Sequence, residues 1–200
     1  MHRIIITLLA SLLITSARAV ETESAGNTIY QTTQPTNAQV PNWTTGWAMS
    51  GITGWNYVGQ VGGASGVYLG NGWVLTAGHV GMGSLTLDGV TYQPVSGSNH
   101  SLTNTNGTTA DLALFQISTP PVLNQLTISL KAPTPFSQEQ AGSQVVILGY
   151  GGGYGETWGY NTVDIINQLI TPTGYSYVSN DFLTVFGTYT SGTASSTNNS

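Results

Sequence analysis

The sequence predicts an all-β protein, and three observations support this class. Short apolar stretches rich in Val, Ile, Tyr and Trp recur along residues 47–186, cut by Gly and Asn at intervals typical of sandwiches and barrels. Asn-Gly at residues 71–72 and Asp-Gly at 88–89 each lie between two such stretches. Because both pairs tolerate a positive φ, they predict two-residue hairpin turns. Helical periodicity is not evident beyond a turn around residues 77–80.

The individual strands follow from these apolar stretches in chain order. Two pairs of predicted strands flank the two hairpin turns. Five further strands are expected downstream, where Val, Ile, Leu, Tyr and Phe are concentrated. The predicted strands are residues 67–69, 73–75, 85–87, 90–92, 112–117, 145–148, 163–169, 175–178 and 182–186.

Proline divides the chain into two halves. Pro120 and Pro121, then Pro133 and Pro135, each remove a donor from a β-ladder, so no long central strand can cross them. We therefore expect a first β-barrel at residues 47–120, a connector at 121–135 and an incomplete second barrel at 136–186. Residues 187–200 are rich in Gly, Ser, Thr and Asn and predict a polar loop or disordered tail.

The N-terminus has the features of an export signal. His2 and Arg3 precede an apolar run at residues 4–14, and Ala-Arg-Ala at 17–19 is a small-residue cleavage site. The run is shorter than the roughly 20 residues that a membrane-spanning helix needs, so no transmembrane span is expected. Residues 1–19 thus predict a signal peptide cleaved near Ala19 and a secreted product, extracellular or periplasmic. Residues 20–46, rich in Thr, Asn, Gln and Pro, predict a flexible N-terminal segment.

Charge and cysteine content exclude several classes of function. After residue 19, Lys131 is the one Lys or Arg in the sequence, against eight Asp and Glu residues. A surface that neutralises nucleic-acid phosphates is therefore excluded. The absence of cysteine from the sequence excludes disulfides and thiolate metal sites. We expect no metal, no cofactor and a monomer, with His100 as an exposed loop residue.

His79 is the first candidate catalytic residue. It ends the run Trp-Val-Leu-Thr-Ala-Gly-His at residues 73–79, where a strand followed by a sharp turn would place an imidazole at the rim of a barrel. A serine hydroxyl is inert near neutral pH, and an imidazole within hydrogen-bond reach takes its proton and later returns it to the leaving amine. The structural alternative is a histidine that caps the turn.

Asp111 is the second candidate, in Ala-Asp-Leu-Ala-Leu at residues 110–114. It lies at the head of an alternating apolar strand, from which a short carboxylate can reach a neighbouring rim residue. Such a carboxylate fixes the tautomer of an imidazole and stabilises the imidazolium that forms. The structural alternative is an aspartate that accepts backbone hydrogen bonds at the start of the strand.

Both segments resemble the trypsin-like, chymotrypsin-fold serine peptidase family, of the secreted bacterial type. In that family Thr-Ala-(Ala or Gly)-His carries the general base and Asp-(Leu or Ile)-Ala-Leu carries the orienting acid. Residues 142–151 are also similar to the strand and Gly-Trp-Gly turn that open the family's second barrel, with Tyr150 in place of Trp. The resemblance implies a chymotrypsin-like double antiparallel β-barrel and hydrolysis of protein or peptide substrates through an acyl-enzyme. It assigns the base to His79 and the orienting acid to Asp111, and it implies no cofactor.

No serine within residues 1–200 matches the family pattern for the nucleophile. No Gly-Asp-Ser-Gly or Gly-x-Ser-x-Gly segment occurs, and the serines at 191, 195, 196 and 200 lack the flanking residues that build an oxyanion hole. Ser65 precedes the histidine and matches a first-barrel strand instead. We therefore expect the nucleophile beyond residue 200, and this chain alone to be inactive.

Two alternatives remain open from the sequence. One is a non-catalytic homologue that acts as a binding protein. The other is an exported β-rich adhesin or sugar-binding domain in which the histidine and aspartate segments occur by chance. The five tryptophans are compatible with a sugar-binding surface, although scattered tryptophans more often pack in the core.

Overall fold

The computed structural model describes residues 22–24, 27–29, 54–135, 137, 142–151, 153–171 and 174–184. The regular secondary structure of the described residues is β-strand throughout, apart from one 3-10 helix at Gly54–Tyr57. The all-β prediction is therefore confirmed. In chain order the strands are β1 Thr22–Ser24, β2 Asn27–Ile29, β3 Val58–Val61, β4 Ala64–Gly70, β5 Trp73–Thr76, β6 Leu85–Leu87, β7 Val90–Tyr92, β8 His100–Thr103, β9 Thr109–Gln116, β10 Gln144–Tyr150, β11 Glu156–Ile170 and β12 Ser179–Thr184.

Seven strands form the larger sheet, in the order β7-β6-β3-β4-β5-β9-β8, and all neighbouring pairs are antiparallel. The two predicted hairpin turns join β4 to β5 and β6 to β7. Asn71 and Gly72 have φ values of 51° and 82°, and Asp88 and Gly89 have 48° and 74°. Positive φ at both central residues is what a tight two-residue hairpin requires, so local turn chemistry sets the register of both hairpins.

The large sheet curls back toward its own edge. The chain that follows β7 reaches the far end of β9, where the Val95 amide donates to the Gln116 carbonyl at 2.8 Å. The Ser118 amide likewise donates to the Gln93 carbonyl at 2.8 Å. These bonds satisfy backbone groups that an open sheet edge would leave unpaired. Whether either barrel is complete stays a prediction, as do the domain boundaries.

The core lies on the inner face of this sheet. Strand β4 alternates half-buried and buried residues along its length, the period of two expected when one face packs on a core. The inward-facing residues form one apolar cluster. This cluster fixes the curvature of the sheet, and the residues at the rim project from that sheet. Its buried members are Tyr57, Val61, Tyr68, Val74, Leu85, Leu87, Phe115 and Ile117.

A second sheet contains β10, β11 and β12 in that order, also antiparallel. Strand β10 packs against β3 and β4 of the first sheet. The Ser65 hydroxyl lies at this junction, where it accepts from the Tyr150 amide at 2.8 Å and approaches the Tyr150 carbonyl at 3.3 Å. Ser65 therefore serves as a structural link between the sheets.

Several strand predictions need correction. Residues 175–178 are not a strand: they run beside the first sheet, and the last strand instead occupies Ser179–Thr184. Strand β11 is longer than predicted and carries bulges between Val163 and Gln168, where Asn167 has a φ of 59°. His100 begins β8 and is exposed there, so it is not a loop residue.

The remaining predictions concern the ends of the chain and the connector. A two-stranded hairpin of β1 and β2 lies within residues 20–46, which the sequence predicts to be flexible. Residues 118–135, which include the predicted connector at 121–135, contain no strand. The signal peptide, the first residues of the predicted first barrel, residues 185–186 of the last predicted strand and the tail at 187–200 lie outside the described residues.

Candidate active site

His79 is held at the rim by the turn that follows β5. The amides of Val80 and Gly81 both donate to the Ala77 carbonyl at 3.1 Å, which closes the turn immediately after the histidine. Gly81 has a φ of 71°, a conformation that favours glycine. The rigid strand and this closed turn fix the position of the His79 backbone.

Asp111 reaches the same place from the neighbouring strand. Strands β5 and β9 are antiparallel with Thr76 opposite Ala113, so the chain leaving β5 passes the residues at the start of β9. Gly78 makes this approach possible. A Cβ at residue 78 would lie 3.2 Å from Asp111 Oδ1 and 3.2 Å from the Leu112 nitrogen, tighter than almost all real contacts.

The two predicted site residues are in direct contact. Asp111 Oδ2 lies 2.8 Å from His79 Nδ1, and Asp111 Oδ1 accepts from the His79 backbone amide at 2.8 Å. An ionised carboxylate is an acceptor only, so the neutral imidazole carries its proton on Nδ1 and keeps the lone pair on Nε2. The His79 side chain is 29% exposed and that of Asp111 10%. The imidazole is therefore partly accessible, and the carboxylate bonded to it is shielded.

The second sheet also contributes residues to the site. The Tyr175 ring lies with its centroid 5.0 Å from that of the His79 ring, and the Tyr177 hydroxyl lies 3.5 Å from the Gly78 carbonyl. Asp181 of β12 is half-buried, and its burial, reinforced by the negative charge of Asp111, raises the pKa of the Asp181 carboxyl. The sequence did not identify these tyrosines, and it offers no signal for them because their proximity comes from the packing of the two sheets.

A serine partner for the imidazole does not occur among the residues described. In residues 54–135, 137, 142–151, 153–171 and 174–184, no serine hydroxyl hydrogen-bonds the His79 ring. Ser65 is bonded to Tyr150 as described above. The His100 ring lies 5.9 Å from that of Trp73, centroid to centroid, and stands apart from the His79–Asp111 pair.

Comparison with known protein families agrees with this geometry. The family model described as Trypsin matches residues 45–197, which is most of the chain. The chain belongs to the trypsin family. The trypsin match confirms the resemblance to the trypsin-like serine peptidase family and supports a chymotrypsin-like β-barrel fold. The secreted bacterial type stays a prediction. Membership of the family implies protein substrates.

Two further findings complete the comparison. No curated protein matches this trypsin-family chain. In the part of the chain that the structure describes, no helix combines the length and hydrophobicity needed to cross a bilayer.

Proposed function

We propose that this trypsin-family protein is a secreted serine endopeptidase in which His79 is the general base and Asp111 orients it. The contact that carries the proposal is the pair of bonds from one Asp111 carboxylate to the His79 amide and to Nδ1. One bond fixes the position of the His79 backbone, and the other forms only when Nδ1 of the ring faces Asp111. Nε2, the nitrogen that Asp111 does not bond, is therefore left to act as the base.

The proposed reaction uses the imidazole twice. Nε2 takes the proton of a serine hydroxyl while the serine oxygen attacks the peptide carbonyl, and it then returns that proton to the leaving amine. An acyl-enzyme remains, and water attacks it with His79 acting as base again. Asp111 stays ionised throughout and stabilises the imidazolium in each half of the reaction.

We propose that the nucleophile lies outside residues 1–200. The separation between the orienting aspartate and the serine in the chymotrypsin template is roughly 90 residues, which would bring the serine near residue 200 or beyond. The sequence of residues 187–200 has none of the Gly-Asp-Ser-Gly context that supplies oxyanion-hole amides. On this proposal the 200-residue chain binds no serine-directed reagent covalently.

The test is covalent labelling with a fluorophosphonate, which reacts only with an activated serine. We expect no labelling of the 200-residue chain, and labelling when the chain is extended by the coding sequence downstream of residue 200. In the extended protein, Asp111→Asn should slow labelling by up to about 10⁴-fold, the size of the loss in turnover that the corresponding change causes in the template protease, and His79→Ala should abolish it. His100→Ala is the matched control, because His100 lies apart from the pair.

The outcomes separate this proposal from the binding-protein alternative. Undiminished labelling in the His79→Ala variant contradicts the assignment of the base. A folded extended protein that carries the His79–Asp111 pair and is never labelled supports a non-catalytic homologue that binds its partner without cleaving it. Membership of the trypsin family argues against an unrelated adhesin or sugar-binding domain.

A further inference from the structure

Residues 174–178, named here the tyrosine segment, lie against the rim that carries His79. The segment precedes β12 and is not itself a strand. Its last residue is tied to the first sheet by two bonds. The Val178 amide donates to the Thr109 carbonyl at 2.9 Å, and the Asn104 side-chain amide donates to the Val178 carbonyl at 2.6 Å.

These two bonds fix the segment close to Asp111. Thr109 is the first residue of β9, two positions before Asp111 on the same strand. The backbone that carries the tyrosines is therefore attached to the element that carries the orienting acid. Movement of one relative to the other is restricted by both bonds.

Tyr175 packs on the imidazole itself. The two ring centroids are 5.0 Å apart and the ring planes are inclined by 40°. The Tyr175 ring is in turn stacked on that of Tyr177, with centroids 6.0 Å apart and an interplanar angle of 28°. Aromatic pairs at such distances have preferred orientations, so a neighbouring ring restricts rotation as well as excluding water.

The imidazole needs such a restriction. The bond from Asp111 to Nδ1 is made by only one orientation of the ring, and a half-turn about the Cβ–Cγ bond would replace Nδ1 by a carbon atom. The His79 side chain is 29% exposed, so water reaches part of the ring and can compete for the Nδ1 proton when the ring turns away from Asp111. A ring packed on the imidazole opposes both the half-turn and the entry of water.

We propose that Tyr175 is a positioning residue that holds the His79 ring in the orientation in which Nδ1 faces Asp111. The inference rests on the proposed function, because it assigns Tyr175 a role only in relation to the His79–Asp111 pair. Tyr177 supports it from behind, through its stacking on Tyr175 and its hydroxyl near the Gly78 carbonyl. The segment that precedes β12 thereby sets the geometry of a base that is carried by the first sheet.

The experiment follows the Nδ1 proton of His79 by NMR in the 200-residue chain, so that it needs no enzymatic activity. A histidine proton bonded to a carboxylate and shielded from water gives a downfield resonance, assigned here by its loss in His79→Gln. We expect Tyr175→Ala to broaden this resonance and to raise its rate of exchange with water by about three- to tenfold. Tyr175→Phe keeps the aromatic ring and should preserve the signal.

Two controls separate positioning from general damage. Phe182→Ala removes an aromatic ring of β12 that is 43% exposed, against 48% for Tyr175, and should leave the resonance unchanged. Tyr175→Leu keeps apolar bulk without the aromatic ring, and replaces the alanine variant if that one does not fold. Folding is checked from the methyl resonances of the core.

The results also distinguish this inference from the proposed function. If Asp111→Asn removes the Nδ1 resonance while both Tyr175→Ala and Tyr175→Leu leave its exchange rate unaltered, the positioning role of Tyr175 is wrong and the His79–Asp111 pair stands. If Asp111→Asn has no effect, or the native chain shows no such resonance, the pair itself is wrong and both proposals fall.

Discussion

The carboxylate of Asp111 has two acceptor atoms, and each bonds a different group of His79. Oδ2 faces the imidazole, whereas Oδ1 accepts from the His79 backbone amide. The catalytic and structural interpretations of Asp111 are therefore compatible, because the same side chain accepts a backbone bond and orients a ring. A shielded carboxylate bonded in this way contributes to folding as well as to the proposed chemistry.

We predict that Asp111→Ala destabilises the protein more than His79→Ala does. Removing the carboxylate leaves the His79 amide without its acceptor and the Nδ1 proton without a partner, a loss of about 1.5–3 kcal/mol in the free energy of unfolding. His79→Ala removes only the ring contacts and keeps the backbone bond. Urea denaturation of the two variants measures the difference, and equal midpoints would contradict the structural role of Oδ1.

The sequence predicted the pair of His79 and Asp111 but not the residues that surround it. His79 and Asp111 each lie in a short segment whose local pattern, a strand end with a sharp turn and a strand head, carries information about rim placement. Tyr175 has no such context. Its contact with His79 depends on how one sheet lies against the other, which a local pattern does not encode.

At the scale of strands, local chemistry predicted some elements well and failed for others. The Asn71-Gly72 and Asp88-Gly89 turns were predictable because positive φ is a property of the residues themselves. The alternating Tyr-Ser-Tyr-Val of residues 175–178 has the period of a strand but is used for packing against His79 and Gly78. Tertiary contact overrides the pattern there, because those rings gain more from the rim than from a ladder.

Strand β3 shows how closely neighbouring strands approach in the large sheet. It lies between β4 and β6, and a Cβ at Gly59 would overlap the Thr86 carbonyl oxygen and come within 2.9 Å of Leu85 Cδ1. The Thr86 carbonyl is backbone in a paired strand and cannot move without disturbing the ladder. Glycine at residue 59 is therefore required for the approach of β6.

We predict that Gly59→Ala destabilises the protein by about 1–3 kcal/mol, the usual cost of forcing an extra methyl group into a packed interior. Gly63→Ala is the matched control, since nothing lies within 4 Å of a Cβ at that position. Urea denaturation followed by tryptophan fluorescence compares the two. A Gly59→Ala protein as stable as the Gly63→Ala protein would show that β3 and β6 can separate at little cost.

At the scale of the whole molecule, the first sheet and the second are joined by polar as well as apolar contacts. Ser65 of β4 bonds to Tyr150 at the end of β10. Six residues later, Glu156 begins β11 with its Oε1 atom buried and, within the described part of the chain, without a hydrogen-bond partner. Burial, together with the negative charge of Asp88, raises the pKa of the Glu156 carboxyl from its ordinary 4.5 to about 8.

This buried acid was not predictable from the sequence, and it has a consequence for stability. Glu156 is one of eight acidic residues, and nothing in its local context distinguishes it from a solvated one. The residues around the Glu156 carboxyl come from separate elements of the fold. Asp88 lies in the β6–β7 turn of the first sheet, and Tyr150 lies on β10 of the second. Burial also raises the pKa of the Tyr150 hydroxyl. The negative charges of Glu156 and, to a smaller extent, Asp88 raise it further.

The direction of the pH dependence follows from the raised pKa of Glu156. The unfolded chain releases the Glu156 proton near pH 4.5, whereas the folded protein keeps it until about pH 8. The stability contributed by this group is therefore complete below about pH 4.5 and is lost as the pH rises through about 8. We predict that Glu156→Gln, which is neutral at every pH, removes this part of the pH dependence.

The measurement is the free energy of unfolding of the native protein and of Glu156→Gln between pH 4.5 and 8.5. The two proteins should have similar stability at pH 4.5, and the variant should be more stable by about 1 kcal/mol at pH 8, a value reduced from the full linkage because the side chain is partly solvated. Asp88→Asn is the companion variant: it removes the charge that raises the Glu156 pKa but not the burial, so its curve should lie between the other two. If the free energy of unfolding changes with pH in the same way for the native protein and for Glu156→Gln, then Glu156 ionises in the folded state as it does in water.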